Sequence, residues 1–323
     1  MGRQGEGMTE TIAGVFPGQG SQGVGMGQAL ADAYPSARAT FAEADDCLGF
    51  ALTRLCFEGP EETLNDTYNT QPAIFVTSIA AWQALRSAGW SAQPAFAAGH
   101  SLGEYSALVA AGALSFADGL RLVRERGRLM KAAGERSPGG MAAVLQLDVQ
   151  KLADICGQAS QETGHIVQVA NYNSPGQVVI SGDLAALERA SQLALAAGAR
   201  RVTRLAVSIA AHSPLMTVIV DEFRQAVERT PIQAPQVAVV ANVTARPLSD
   251  AHAIRQEMVA QLTSSVRWVE SVQYMAANGV TRFVEIGPKE VLTGLIPRID
   301  KGLKTNACGT PAGVQAMLEA HVV

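Results

Sequence analysis

Pro94-Ala95-Phe96-Ala97-Ala98-Gly99-His100-Ser101-Leu102-Gly103-Glu104-Tyr105-Ser106-Ala107-Leu108-Val109-Ala110-Ala111 joins a short apolar run to a helical one through a G-x-S-x-G pentapeptide. The pattern predicts a strand over 94–98, a tight turn, and a helix over 102–111. That is the strand–turn–helix context of a nucleophile elbow. Glycines on either side let the chain turn sharply and push the Ser101 hydroxyl outward. The helix N-terminus that follows offers free N–H groups and a favourable dipole to a developing oxyanion. An ordinary Gly-rich turn carries the same letters; the strand before it and the helix after it favour the elbow.

Strands and helices alternate outward from this point. Ile12–Phe16 reads as a buried strand ended by Pro17-Gly18. Residues 70–88 have helical spacing in Ile74, Ile79, Trp82 and Leu85, with Pro72 near the start. A helix is predicted over 116–133. Such alternation argues for a parallel sheet with helices on its faces. The middle differs. A strand over 141–147, a helix over 149–160, strands over 167–170 and 177–181, a helix over 183–197 and a strand over 201–205 follow in order. Residues 171–176 read as a turn-rich link, Asp183 as an N-cap and Gly198 as a helix end. The order β-α-β-β-α-β is that of a ferredoxin-like unit. Beyond it come a helix over 214–230, a strand over 237–241, a helix over 268–277, a strand over 282–285 and a helix over 311–320. The expectation is an α/β chain: a large domain of residues 1–137 and 207–323 with a mainly parallel sheet, interrupted by a ferredoxin-like small subdomain of residues 138–206.

Composition narrows the function classes. Of 323 residues, 48% are apolar and 17% charged, enough apolar side chain for a sizeable core. Twenty-five basic against 29 acidic residues give a net charge of −4, so no nucleic-acid partner is expected. No charge-free apolar run approaches the ~18 residues of a membrane span. Cys47, Cys56, Cys156 and Cys308 show neither C-x-x-C spacing nor a Cys/His cluster, which speaks against a metal site or a disulfide framework. The first residues lack an apolar signal core and, with Glu6 where a Ser or Thr is needed, a myristoylation motif. Met8 reads as a natural start, or residues 1–7 as an extension. A cytoplasmic location is expected.

A serine nucleophile needs a base. Among five histidines, His321 lies in the C-terminal tail, His252 starts a polar helix, His165 sits in a turn, and His100 is the serine's neighbour in sequence. His212 ends the apolar stretch 205–211 before a helix, where an α/β sheet presents catalytic groups; a capping or core histidine is the alternative. On the helix over 116–133, at ~100° per residue, Arg121, Arg124, Arg128 and Lys131 share one solvated face. Arg126 points the other way, among Leu122, Val123, Leu129 and Met130. A buried guanidinium needs an anionic partner. Two fit: an internal carboxylate such as Glu104, or a substrate carboxylate gripped bidentately. Phe16-Pro17-Gly18-Gln19-Gly20-Ser21-Gln22 is Gly-rich but lacks phosphate-loop order.

Together these pieces resemble the malonyl-CoA:acyl-carrier-protein transacylase family over nearly the whole chain. The resemblance is carried by 16–22, by Gly99–Ala107, by Arg126 and by Gly140-Met141-Ala142-Ala143-Val144. Further along it is carried by Asn171-Tyr172-Asn173-Ser174-Pro175-Gly176-Gln177, Val266-Arg267-Trp268 and Glu285-Ile286-Gly287-Pro288. It implies an α/β-hydrolase-like large domain with the ferredoxin-like insert. Malonyl would pass from malonyl-CoA to the phosphopantetheine thiol of an acyl carrier protein by way of Ser101. The resemblance further implies His212 as the base, backbone N–H groups of Gln19 and Leu102 as the oxyanion hole, and Arg126 on the malonyl carboxylate. His100 would line the site. Gln261 would orient the imidazole through its backbone carbonyl; its own surroundings in the sequence read as a surface helix. No metal and no bound cofactor are implied, and a monomer is expected. Val207-Ser208-Ile209-Ala210-Ala211 departs from the pattern, with two alanines where discrete members carry a Pro-containing pair. That leaves room for a branched malonyl group, whereas Leu102 is the malonyl-type residue after the serine. A serine hydrolase on the same elbow and a carrier-binding subunit without activity are the rivals; Arg126 argues against the first, and the presence of both Ser101 and His212 against the second.

Overall fold

The computed structural model describes residues 10–320, so the start at Met8 and His321 lie outside it. β1 (Ile12–Phe16) is buried along its whole length and feeds both faces of a sheet. Ile12 and Phe16 enter one core, Ala13 and Val15 the opposite one, which is the two-residue alternation of a strand covered on both sides. After β1 come four helices without counterpart in the sequence reading: α1 (Gln28–Ala33), α2 (Pro35–Leu48), α3 (Leu52–Glu58) and α4 (Glu61–Asn65). The reason is local. Their N-cap positions are Gly27, Tyr34, Ala51 and Pro60, none of which supplies a side-chain cap, so the usual start signal is missing. α5 (Thr67–Ser87) starts earlier than expected because Asp66 caps it, accepting from the Tyr68 N–H at 3.0 Å.

β2 (Phe96–Gly99) runs parallel to β1, with Gly99 beside Phe16. α6 (Gly103–Ala110) and α7 (Phe116–Arg136) follow, the latter capped by Ser115. β3 (Gly139–Leu145), α8 (Val149–Thr163), β4 (Val167–Ser174), β5 (Gln177–Asp183), α9 (Leu184–Ala196) and β6 (Arg201–Arg204) build a second, antiparallel sheet in the order β4-β5-β3-β6. That is the ferredoxin-like order, over a core of its own around Leu152, Ile180 and Ala190. Asp183 caps α9 as expected. The link expected over 171–176 is instead mostly strand: β4 runs to Ser174, and only Pro175-Gly176 turn. Two register shifts in β4 break the alternation by which a strand is recognised.

The helix expected over 214–230 begins as a 3₁₀ segment, Pro214–Ile219, and continues as α10 (Val220–Arg229). β7 (Ala238–Val240), β8 (Pro247–Leu248), α11 (Ala251–Ala260), α12 (Trp268–Ala277), β9 (Arg282–Glu285), α13 (Val291–Ile299), β10 (Lys304–Ala307) and α14 (Pro311–Glu319) complete the chain. The large sheet has the order β10-β9-β1-β2-β7-β8, parallel except for β8. β4 of the small sheet meets the segment before α12 in an isolated parallel bridge between Asn171 and Val266, the Tyr172 N–H donating to Val266 O at 2.9 Å. The turns after β1, β2 and β7 therefore face the insert across a cleft. No helix among the described residues is long and apolar enough to cross a membrane.

Candidate active site

The turn after β2 is as tight as the sequence implies. A Cβ on Gly99 would sit 1.9 Å from the Gly103 carbonyl carbon, and one on Gly103 would sit 2.0 Å from Phe16 O. Between them Ser101 adopts φ 52°, the left-handed region that costs a non-glycine residue roughly 1–2 kcal/mol. Neighbouring contacts hold it there. The Ser101 N–H donates to Asn242 Oδ1 at 2.7 Å, and Gln261 Nε2 donates to Ser101 O at 3.1 Å. The outcome is a hydroxyl at the mouth of the cleft, 2.8 Å from His212 Nε2.

His212 is not at a strand end, as the sequence reading had it. Residues 205–213 form an irregular loop after β6, and His212 itself has φ 58°. The loop still delivers the ring. Nδ1 lies 2.8 Å from Gln261 O and 3.2 Å from Ser264 O. Two carbonyls accept only, so Nδ1 carries the proton and Nε2 presents its lone pair to Ser101. The ring is 3% exposed. Burial first, then the nearby Arg126 guanidinium, hold its pKa down to about 3, which keeps it neutral and able to accept a proton near pH 7.

Arg126 is 1% exposed on the apolar side of α7, where the helical spacing put it. Its partners are neutral: Gln71 Oε1 at 2.7 Å, Gln261 Oε1 at 2.9 Å and Ser101 Oγ at 3.2 Å. Among the described residues its Nε has no acceptor. Among the described residues no carboxylate comes within ion-pair distance, so the internal pair with Glu104 does not form. A buried cation held only by neutral acceptors is suited to receive an anion from outside. The opposite face of α7 needs one correction. Arg121, Arg128 and Lys131 are exposed, but Arg124 is half-buried over the Tyr68 ring, donating to Tyr68 O and Asn69 Oδ1.

Gln261, which its surroundings in the sequence assigned to a surface helix, is fully buried just after α11. Its backbone carbonyl meets His212 and its side-chain amide meets Arg126. His100 lines the same cleft and pairs with Asn173 through Nε2 at 2.8 Å rather than with the serine; burial lowers its pKa. Gln19 and Leu102 also line the cleft, and among the described residues neither of their backbone N–H groups donates to a protein acceptor. Amides left without a protein acceptor at such a cleft are suited to hold a developing oxyanion.

The cleft spans about 550 Å³, the open space at its mouth included, with Met130, Met141, Leu205, Val207, Ile209 and Ala211 as its apolar wall. A larger open cleft of about 670 Å³ lies toward the other end of the sheet, against Gly14, Pro94 and Val237, and touches none of the catalytic groups. The site also contains residues to which the sequence reading gave no role: Asn242, Gln71 and Asn173. Asn242 follows β7, and a polar residue just past the carboxyl end of a parallel strand is a recognisable signal. Gln71 is a buried polar residue in the first turns of α5, just ahead of the apolar run over 72–76. Asn173 stands in the segment 171–177 that carries the resemblance, which assigned it no role.

Known proteins are similar to this chain in sequence and fold. A family model described as acyl transferase domain matches residues 14–312. The malonyl CoA-acyl carrier protein transacylase of Escherichia coli strain K12 is 46% identical over 312 residues, covering 97% of this chain and 100% of that protein. Among solved structures, a malonyl-CoA:acyl carrier protein transacylase from Xanthomonas oryzae pv. oryzae is 46% identical, with a TM-score of 0.93, covering 97% of this chain and 98% of that one. A malonyl-transacylase in complex with its type II polyketide synthase acyl-carrier protein has a TM-score of 0.93 at 44% identity, covering 96% of this chain and 100% of that one.

Proposed function

The chain belongs to the acyl transferase family and is an acyltransferase of the malonyl-CoA:acyl-carrier-protein type, and we propose that it works through a malonyl-Ser101 ester. The observation that carries this reading is the chain Ser101 Oγ–His212–Gln261 O set beside a buried guanidinium without a carboxylate partner. Malonyl-CoA binds with its free carboxylate on Arg126. His212 Nε2 takes the Ser101 proton as Oγ attacks the thioester carbon. The N–H groups of Gln19 and Leu102 hold the oxyanion, each donor contributing about 3 kcal/mol. The C–S bond breaks, and the CoA sulfur takes the proton from His212. The phosphopantetheine thiol of the carrier protein then gives its proton to His212 and attacks the ester. Ser101 leaves and is reprotonated. These steps call for no metal and no bound cofactor; malonyl-CoA is the substrate.

Intact-mass spectrometry after mixing with malonyl-CoA, methylmalonyl-CoA or acetyl-CoA tests the reading. One malonyl adduct per chain is expected, mapped to the peptide holding Ser101 and discharged by carrier protein. An adduct that water removes as fast as carrier does would favour a hydrolase. A methylmalonyl adduct formed at the malonyl rate would assign the room beside Ile209 and Ala211 to a branched substrate.

Two basic clusters offer themselves for carrier docking, Arg124, Arg128 and Lys131 on α7 and Arg200, Arg201 and Arg204 at β6, and local pairing separates them. On α7, Arg128 pairs with Glu125 and Glu222, and Lys131 with Asp66. Arg200, Arg201 and Arg204 are exposed, and none is in an ion pair among the described residues. They border Leu205 of the cleft wall. An acidic carrier is attracted to charge that is not already neutralised. Arg201→Glu with Arg204→Glu is expected to raise the KM for carrier about tenfold or more, with malonyl loading of Ser101 retained. An unchanged carrier KM would move the docking surface elsewhere. A cytoplasmic, monomeric enzyme is the accompanying proposal.

A further inference from the structure

Glu104 follows the elbow by three residues and is completely buried, yet no step of the transfer uses it. Its hydrogen-bond partners among the described residues are all donors, while burial and the neighbouring Glu257 carboxylate raise its pKa well above the usual carboxylate range. Its Oε2 accepts from the Asn242 N–H at 2.7 Å and from Asn242 Nδ2 at 2.5 Å, and its Oε1 accepts from Gln261 Nε2 at 3.1 Å. Three N–H donors meet its two oxygens, a set that suits the ionised form, which only accepts and so dictates which end of each amide turns toward it. Asn242 must offer its NH₂, which also donates to Gly99 O at 2.7 Å, and this leaves Oδ1 for the Ser101 N–H. Gln261 must likewise offer its NH₂, which leaves Oε1 for Arg126.

We propose that Glu104 is a positioning residue that fixes the polarity of two buried amides, Asn242 holding the nucleophile's backbone and Gln261 holding the guanidinium. The first arm has a specific chemical consequence. With its N–H tied to Asn242, Ser101 contributes nothing to the oxyanion hole, and its strained backbone is anchored from the side away from substrate. The second arm keeps an acceptor facing Arg126. A reversed Gln261 amide would set NH₂ against guanidinium and push Arg126 out of place. Glu257 stands behind the same turn, accepting from the Val243 N–H at 2.8 Å. The proposal rests on Ser101 and Arg126 acting as described above.

The two arms predict different kinetic signatures, measured with the full chain, malonyl-CoA, acetyl-CoA and carrier protein. Glu104→Gln presents an NH₂ to at least one amide and forces it to reverse or lose its bond. It is expected to lower kcat at least tenfold and to narrow the malonyl-to-acetyl preference severalfold. Asn242→Ala removes the serine arm alone; it is expected to lower kcat similarly, with the KM for malonyl-CoA and the malonyl-to-acetyl preference within twofold of wild type. Thermal melts give the folded fraction, so rates are expressed per folded molecule, and Asn242→Ala decides the serine arm should Glu104→Gln not fold. Wild-type kcat per folded molecule in Asn242→Ala, or a Glu104→Gln enzyme with unaltered kcat and preference, would overturn the proposal. In either case a malonyl adduct still on Ser101 shows that the positioning idea failed and not the nucleophile assignment.

Discussion

Ser101→Ala is expected to give a folded protein that forms no malonyl adduct and loads carrier about 10⁴- to 10⁶-fold more slowly than wild type, the range for loss of a serine nucleophile whose binding and oxyanion contacts survive. The loss is this large because no other group is poised to replace it. His212 is held as a neutral acceptor by the carbonyls of Gln261 and Ser264, and His100 is committed to Asn173. Folding is insensitive to the hydroxyl, since the turn is set by the close approach of Gly99 to Gly103 and by the bond from the Ser101 N–H to Asn242. Ser101→Gly supplies an internal control. At φ 52° glycine carries no left-handed penalty, so this variant is expected to be equally inactive but to melt above Ser101→Ala. The measurements are intact mass after exposure to malonyl-CoA, carrier loading, and a thermal melt. A full adduct on the alanine variant would place the nucleophile at another residue, and equal melting of the two variants would remove backbone strain from the description of the elbow.

What the sequence disclosed, and what it withheld, follows from how far each feature reaches along the chain. The elbow is legible because its requirements are local: a strand, two glycines that must nearly touch the backbone, and a helix within a dozen residues. Arg126 is legible because helical periodicity alone puts it among Leu122, Val123 and Met130. The groups that hold these two were not. Asn242 and Gln261 meet Glu104 and Ser101 across more than a hundred residues, and buried amides leave no periodic trace. Only the resemblance pointed to Gln261, and it gave the backbone carbonyl, not the side chain that reaches Arg126. The missed elements have equally local causes. α1 to α4 start without side-chain caps, β4 is bulged, and β10 (Lys304-Thr305-Asn306-Ala307) is a polar edge strand without an apolar face.

Arg126→Ala is expected to lose malonyl transfer by roughly 30- to 4000-fold in kcat/KM, the equivalent of about 2–5 kcal/mol for a charge-assisted pair in a dry site. The guanidinium sits where such a pair is strongest, almost fully buried and, among the described residues, hydrogen-bonded to Gln71, Gln261 and Ser101. Acetyl-CoA brings no carboxylate, so for that substrate the buried cation is a liability. It also lies close enough to depress the pKa of His212, and its removal leaves a stronger base. Acetyl transfer is therefore expected to fall far less than malonyl transfer, or to rise. Lysine should rescue poorly, because a point charge cannot reproduce a two-pronged grip. Stability gives a second, independent readout. Had Arg126 been neutralised by Glu104, its loss would strand a buried carboxylate and weaken the fold with both substrates impaired alike. With Gln261 standing between the two, Glu104 keeps its three N–H donors in the variant, and the melt is expected to stay close to wild type. The measurement is kcat/KM for malonyl- and acetyl-CoA on wild type, Arg126→Ala and Arg126→Lys, with melts alongside. A malonyl-to-acetyl ratio unchanged by the alanine substitution would mean that the substrate's carboxylate is held by some other group, and that the unpaired guanidinium serves only to order Gln71 and Gln261.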